Sequence, residues 1–213
     1  MRKHVLITGA TKGIGRACAA LFAAQGWQIT AVARTAADLE AMEKSFPTGQ
    51  LKTVAADLGT KAGVEAIPVR AYDVVLLNAA AFAPGPLLGD EDIYGQLWDV
   101  NVGANHKLAR RILPAMIKHG SGHLVVIGSR GTDFQPAHLT AYVATKYALR
   151  GLFQGWAKEL ENTGVKASLV APGATLTASW TNEEPPADIL APETVAEVVW
   201  ACVREDVEGR ITV

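Results

Sequence analysis

Cysteine is scarce. Cys18 and Cys202 are the whole supply, far apart and without metal-ligand spacing, so no disulfide framework and no metal site can be read from them, and reduced core thiols are the simplest reading. Apolar runs long enough to span a bilayer are missing. Met1, Arg2, Lys3 and His4 imitate the start of a secretory signal, but the run Val5, Leu6, Ile7 stops at Thr8 and Gly9, too short for the apolar region of such a peptide. An excess of one charge is missing as well. Acidic and basic residues are interspersed and the formal net charge is -1, which indicates neither nucleic acid nor an acidic membrane surface as a partner. With no repeat, linker or low-complexity stretch, the expectation is one domain over residues 1–213 and a cytoplasmic location.

What the chain has in quantity is apolar residues, 49% of 213, enough for a substantial core. They fall in short runs at 5–8, 29–32, 51–55, 74–78, 124–127, 167–170 and 211–213. Such runs of Val, Ile, Leu and Ala, unbroken rather than alternating, mark strands buried on both faces, as in a parallel sheet. Between them the pattern predicts helices at 14–25, 36–45, 93–119, 141–161 and 192–204, with a short one near 61–67. The longest has Asp90, Glu91 and Asp92 at its start and Lys118, His119 and Gly120 at its end, the charge order a helix dipole favours. Strand–helix alternation of this kind implies a single α/β domain of the doubly wound Rossmann type, a seven-stranded, mainly parallel sheet with helices on both faces.

In such a sheet, ligands bind beyond the carboxyl ends of the strands. The first loop there is Thr8-Gly9-Ala10-Thr11-Lys12-Gly13-Ile14-Gly15, between an apolar strand and an Ala-rich helix. Glycines permit the tight turn and let the backbone approach a pyrophosphate, which lies against the free N–H groups at the helix start. A turn without a ligand, or a nucleoside-holding methyltransferase of related fold, would read the same way. The second strand ends at Val32-Ala33-Arg34. About twenty residues past the glycines an acidic side chain meets the ribose of an unphosphorylated dinucleotide, whereas a nearby arginine accommodates a 2′-phosphate. Arg34, with Lys12 as a second cation, therefore predicts NADP(H) in preference to NAD(H). Asp38 reads instead as the partner of Thr35 in a capping box opening the next helix.

Ser129 follows the run at 124–127, and Tyr142 and Lys146 stand four apart, so a helix beginning near residue 141 projects both from one face. A hydroxyl, a phenol and an ammonium then converge at one end of the sheet, a set suited to proton transfer to a carbonyl oxygen. The ammonium is expected to favour the ionised phenol and lower its pKa. The plainer reading is a core tyrosine and a surface lysine on an ordinary helix.

With these motifs in order, the chain resembles the short-chain dehydrogenase/reductase family over residues 5–177, including its 3-oxoacyl-carrier-protein reductase-like members. Thr8-Gly9-x-x-x-Gly13-x-Gly15 is similar to the family's glycine turn. Asp57, followed by Leu58, matches the aspartate that contacts the adenine, and Leu77-Asn78-Ala79-Ala80 stands where the family has Asn-Asn-Ala-Gly. Asn101 matches an asparagine that positions a water for proton relay; beside Gly103 it could instead merely mark a weak or kinked turn of the helix. Ser129, Tyr142 and Lys146 match the catalytic serine, tyrosine and lysine, and Pro172-Gly173, with Thr175 and Thr177, resembles the segment lying against the nicotinamide. The resemblance implies an oxidoreductase that transfers hydride between NADP(H) and a carbonyl or alcohol. Tyr142 would move the proton, Ser129 hold the oxygen, Lys146 bind the nicotinamide ribose and Asn101 hold the relay water. It also implies cofactor contacts at Gly9, Thr11, Lys12, Gly13, Ile14, Gly15, Arg34, Asp57, Leu58, Asn78, Ala79, Ala80, Tyr142, Lys146, Pro172, Gly173, Thr175 and Thr177, with no metal. A homodimer or homotetramer joined through the long helices is the implied assembly. The alternative is a non-catalytic NADP(H)-binding sensor or scaffold.

Departures from the family pattern are Leu77 and Ala80, Gly128 before Ser129, Arg130 after it, and a C-terminus at Val213 without a glycine-rich tail. Arg130 could steer an anionic substrate or be a solvated loop arginine. Residues 176–191, with Trp180, Glu183, Glu184, Pro185 and Pro186, read as a structureless lid. With Phe82, Phe134, His138 and Leu139 they would form a partly apolar pocket that a 3-oxoacyl thioester, a small ketone, an aldehyde or a sugar could fit.

Overall fold

A computed structural model describes residues 2–85, 93–177 and 184–213. Seven strands are present: β1 (His4–Thr8), β2 (Gln28–Ala33), β3 (Leu51–Ala55), β4 (Val74–Leu77), β5 (Gly122–Ile127), β6 (Val165–Ala171) and β7 (Gly209–Thr212). They form one sheet in the order β3-β2-β1-β4-β5-β6-β7 with every pairing parallel. The helices are α1 (Gly13–Ala24), α2 (Ala36–Glu43), α3 (Lys61–Glu65), α4 (Tyr94–Trp98), α5 (Asn105–His119), α6 (Gly131–Phe134), α7 (Thr140–Leu160) and α8 (Pro192–Arg204). The fold is the expected single α/β Rossmann-like domain.

Period-two alternation along each strand feeds two apolar layers. Val5, Ile7, Val74, Leu76, Val125 and Ile127 face one layer with Phe22 of α1 and Val195 and Val199 of α8. Leu6, Val75, Leu77, Leu124 and Val126 face the other, with Leu108 and Ile112 of α5 and Leu149 and Phe153 of α7. Both faces are covered, which is why the runs are continuously apolar. Phe22, Trp27 and Trp200 pack edge to face at 5.0, 5.2 and 5.9 Å, closing the first layer between α1 and α8. Truncating Phe22, fully buried there, to alanine costs about 3–5 kcal/mol.

The helix expected at 93–119 is interrupted. Asp99–Ala104 forms a π-helical turn between α4 and α5, a feature found most often beside functional sites. Gly120, at φ 74, ends α5 as the Lys-His-Gly terminus predicts. The acidic start expected at Asp90–Asp92 and the middle of the expected lid, including Trp180 and Glu183, lie outside the described residues. The stems of that lid are not structureless. Thr175 bridges Leu190 in parallel, Leu176 donates its N–H to Leu190 O at 2.8 Å, and Leu190 donates to Ala174 O at 2.8 Å. Among the described residues no helix is long and apolar enough to cross a membrane.

Candidate active site

The strand order reverses direction between β1 and β4, and the loops leaving those strands open a crevice at the carboxyl edge of the sheet, where ligands of such folds sit. Thr8 stitches the two loops together. Its hydroxyl accepts from the N–H groups of Asn78 at 2.9 Å and Ala79 at 3.0 Å, and the Asn78 amide donates back to Thr8 O at 2.9 Å. Gly9 and Gly13 hold φ of 66° and 50°, the left-handed region where a side chain would be strained. Gly15 is needed for a different reason: a Cβ there would stand 2.2 Å from Gly9 O. Gly15 packs the turn and does not line the cleft.

The cleft measures about 830 Å³. At its first end, α1 begins at Gly13 with no acidic residue in its first turn and no side-chain cap, so its free N–H groups and dipole remain available to an anion. Thr11, Lys12, Ile14, Arg34, Asp57, Leu58, Ala79 and Ala80 line this stretch as expected. Asp57 accepts from Gly59 N at 3.0 Å, which fixes its carboxylate at the rim. Thr177 closes over the glycine turn from the other side; a Cβ on Gly13 would lie 2.8 Å from its methyl. Volume, glycine cradle and uncapped helix start together fit a dinucleotide.

Asp38 corrects the reading from sequence. Thr35, the residue before α2, makes no side-chain capping bond, and Asp38 instead pairs with Lys12 at 3.2 Å inside the same cleft. The second cation expected for a 2′-phosphate therefore carries a counter-ion of its own. Its signal was present, an acid four residues beyond Arg34, but the capping pattern explained it locally.

At the other end, β5 delivers Ser129 and α7 presents Tyr142 and Lys146 on one face. Lys146 is 3% exposed and donates from Nζ to Ile127 O at 3.1 Å; the ammonium stands 5.6 Å from the Tyr142 ring centroid. Ser129 Oγ accepts from Gly131 N at 3.0 Å, and both Ser129 and Tyr142 line the cleft. The expected lowering of the phenol pKa does not occur in this state. Burial pushes Tyr142 up to about 12, the Ser129 hydrogen bond opposing it, and burial drops Lys146 to about 8. Desolvation of both groups outweighs the attraction, because the ammonium bonds to backbone rather than to the phenol oxygen. A protonated phenol is nevertheless the state a proton donor requires.

Asn101 is not in the cleft. Fully buried within the π turn, it accepts from Ala81 N at 2.7 Å and donates to Ala81 O at 3.0 Å and to Thr145 Oγ1 at 2.9 Å. Thr145 in turn donates to Tyr142 O at 2.6 Å. Both N–H donors of the side-chain amide are thus taken by protein. It clamps the loop after β4 to the first turn of α7, a role sequence reasoning missed, as it missed Thr145. Arg130 is exposed and does not line the cleft. Pro172, Gly173 and Thr175 line the wall beyond β6, with Gly173 N tied to Val213 O at 3.1 Å.

A glycine-turn crevice with a half-buried phenol beside a buried ammonium is the arrangement of a dinucleotide-binding α/β oxidoreductase. The family model described as short chain dehydrogenase matches residues 3–188, and the chain belongs to that family of NAD(P)-dependent enzymes. An uncharacterized oxidoreductase of Staphylococcus aureus (strain MRSA252) is 30% identical over 205 residues, 92% of this chain and 89% of that protein. A solved short chain dehydrogenase/reductase family protein superposes with a TM-score of 0.91 at 29% identity, covering 99% of this chain and 94% of its own. A short-chain dehydrogenase from Sphingobium yanoikuyae in complex with NADPH has a TM-score of 0.91 over 99% of this chain and 87% of its own; at 24% identity that likeness is one of fold.

Proposed function

We propose that the protein reduces a carbonyl to an alcohol with NADPH, or runs the reverse, with Tyr142 as the general acid/base. The carrying observation is the convergence of Ser129, the Tyr142 phenol and the buried Lys146 ammonium, 5.6 Å from the Tyr142 ring, on one end of a dinucleotide-sized cleft. The bound cofactor supplies the hydride taken up by the carbonyl carbon. Tyr142 gives its proton to the carbonyl oxygen, and the Ser129 hydroxyl donates a hydrogen bond to the same oxygen. Lys146, 5.6 Å from the Tyr142 ring centroid, would hold the nicotinamide ribose and would limit the charge that builds on the phenol once its proton leaves. Asn101 is a positioning residue, holding Ala81 and Thr145 against that turn.

Preference for NADP(H) is supported by Arg34 and Lys12 on the first two loops and moderated by Asp38. A 3-oxoacyl thioester, ketone or aldehyde fits the reaction. Pairing through the long helices as a homodimer or homotetramer is supported by Tyr94 and Trp98, exposed and stacked at 6.1 Å, beside a shallow 390 Å³ depression along α7. The test is NADPH oxidation against a panel of carbonyls, with NADPH affinity measured separately. Tight binding with no oxidation of NADPH by any carbonyl would favour the sensor reading instead.

A further inference from the structure

Around Tyr142 the cleft is walled by Phe82, Pro84, Phe134, Pro136 and Leu139. The Phe82 ring stands edge-on to Tyr142 at 4.9 Å, and Phe134 is 60% exposed although it borders a cavity. Apolar surface left open in a concave site marks where an apolar ligand group lies. Resting on the carbonyl-reductase reading above, we propose that the substrate is an uncharged carbonyl compound bearing an aryl or branched alkyl group, seated between Phe82 and Phe134, and that a carboxylate or phosphate beside the carbonyl excludes it.

The position of the charges carries this step. Among the described residues the lysines and arginines lining the cleft are Lys12, Arg34 and Lys146. Arg34 follows β2 and Ser129 follows β5, three strand spacings apart in the order β2-β1-β4-β5, or roughly 14 Å at about 4.8 Å per strand. Lys146 is buried and spends a donor on Ile127 O. Arg130 is off the lining, and Arg150 and Arg210 are both paired with Asp133. An anionic group held against Phe82 and Phe134 would find no lysine or arginine free to pair with it among the described residues. A polyol fares little better, since its hydroxyls would lie unpaired against Phe82 and Phe134.

The experiment compares ethyl benzoylformate with benzoylformate, one aryl ketone as ester and as carboxylate, at about pH 8, where the carboxylate is fully ionised. We expect kcat/KM to favour the ester by about a hundredfold or more. The variant Phe134→Arg should narrow that ratio by about tenfold, a comparison that cancels the ester's greater intrinsic electrophilicity. Independently of turnover, methyl benzoate and benzoate are titrated into the NADPH complex, and the ester should bind more tightly. Equal or better use of benzoylformate, or failure of both esters to bind, overturns the proposal. If neither ketone is reduced while methyl benzoate still outbinds benzoate, the substrate class stands and the reductase reading falls.

Discussion

At the end of the cleft served by β1 and β2, ionised side chains reach solvent: Lys12, Arg34, Asp38 and Asp57 line it, and the helix start at Gly13 adds its uncapped N–H groups. At the end served by β5 and α7 the walls are Phe82, Phe134 and Leu139, and the ammonium, Lys146, is 3% exposed and bonded to backbone. The contrast follows from what each end has to hold. Phosphates keep their charge throughout a reaction, so exposed cations and dipoles suffice and water can remain. In the proposed reaction a proton and a hydride move at the other end, where an apolar wall makes each hydrogen bond worth more and lets burial set the protonation state.

The strongest way to break that contrast is to disable one end and ask whether the other notices. Tyr142→Phe removes the acidic proton and keeps the ring that packs on Phe82. We expect turnover to fall by about a hundredfold or more, with the NADPH dissociation constant within twofold of wild type. Turnover close to wild type would show that another group donates the proton.

The two ends meet at Asn101, and its replacement should rank next. Asn101→Leu strands the N–H and C=O of Ala81 and frees Thr145. Leaving buried backbone groups unpaired costs about 1–3 kcal/mol each, so a loss of about 2–4 kcal/mol in denaturant unfolding is expected. Stability within about 1 kcal/mol of wild type would mean that the π turn holds itself.

Asn101 also marks where the sequence stopped being legible. The seven strands were readable because a parallel sheet buries both faces, and the residues forming each run are consecutive. The glycine turn and the Tyr–Lys spacing were readable because each is local, fixed within one turn of chain. The π turn depends on how α4 and α5 accommodate α7, and no apolar period announces it. Lys12 and Asp38 meet only after β2 has crossed back beside β1, so a local capping pattern seemed to explain Asp38 completely. α6, four residues long, follows from Ser129 and Thr132 closing a turn, with Thr132 Oγ1 donating to Ser129 O at 2.9 Å, too short a unit for periodicity to show. The direction of the Tyr142 shift required knowing which way the ammonium points.

Lys146 allows the dry end to be titrated alone. Burial holds its pKa down at about 8, so the charged form dominates below that pH and is lost above it. If the ammonium holds cofactor hydroxyls, NADPH affinity should weaken as pH rises past about 8, by roughly tenfold, the worth of one hydrogen bond to a charged group. Lys146→Met should flatten that profile. A wild-type profile already flat between about pH 7 and 9 would place the ammonium outside cofactor binding.

The smallest effect belongs to the wet end. Asp38 pairs with Lys12 where both are accessible, the lysine side chain 67% and the carboxylate 36% exposed, so solvent screens whatever it does. A 2′-phosphate drawn toward Arg34 and Lys12 must take Lys12 from this carboxylate and then sit beside a like charge. An unphosphorylated ribose would meet the carboxylate as a hydrogen-bond acceptor instead. Asp38→Asn should therefore tighten NADPH by roughly three- to fivefold and leave NADH unchanged or slightly weaker, read by titrating each cofactor into the protein at low salt. Lys12→Met should weaken NADPH alone, and in the double variant the gain from Asp38→Asn should shrink, because part of it arises from freeing the lysine. Were Asp38→Asn to tighten both cofactors equally, the carboxylate would be acting on the shared pyrophosphate rather than on the phosphate that distinguishes them.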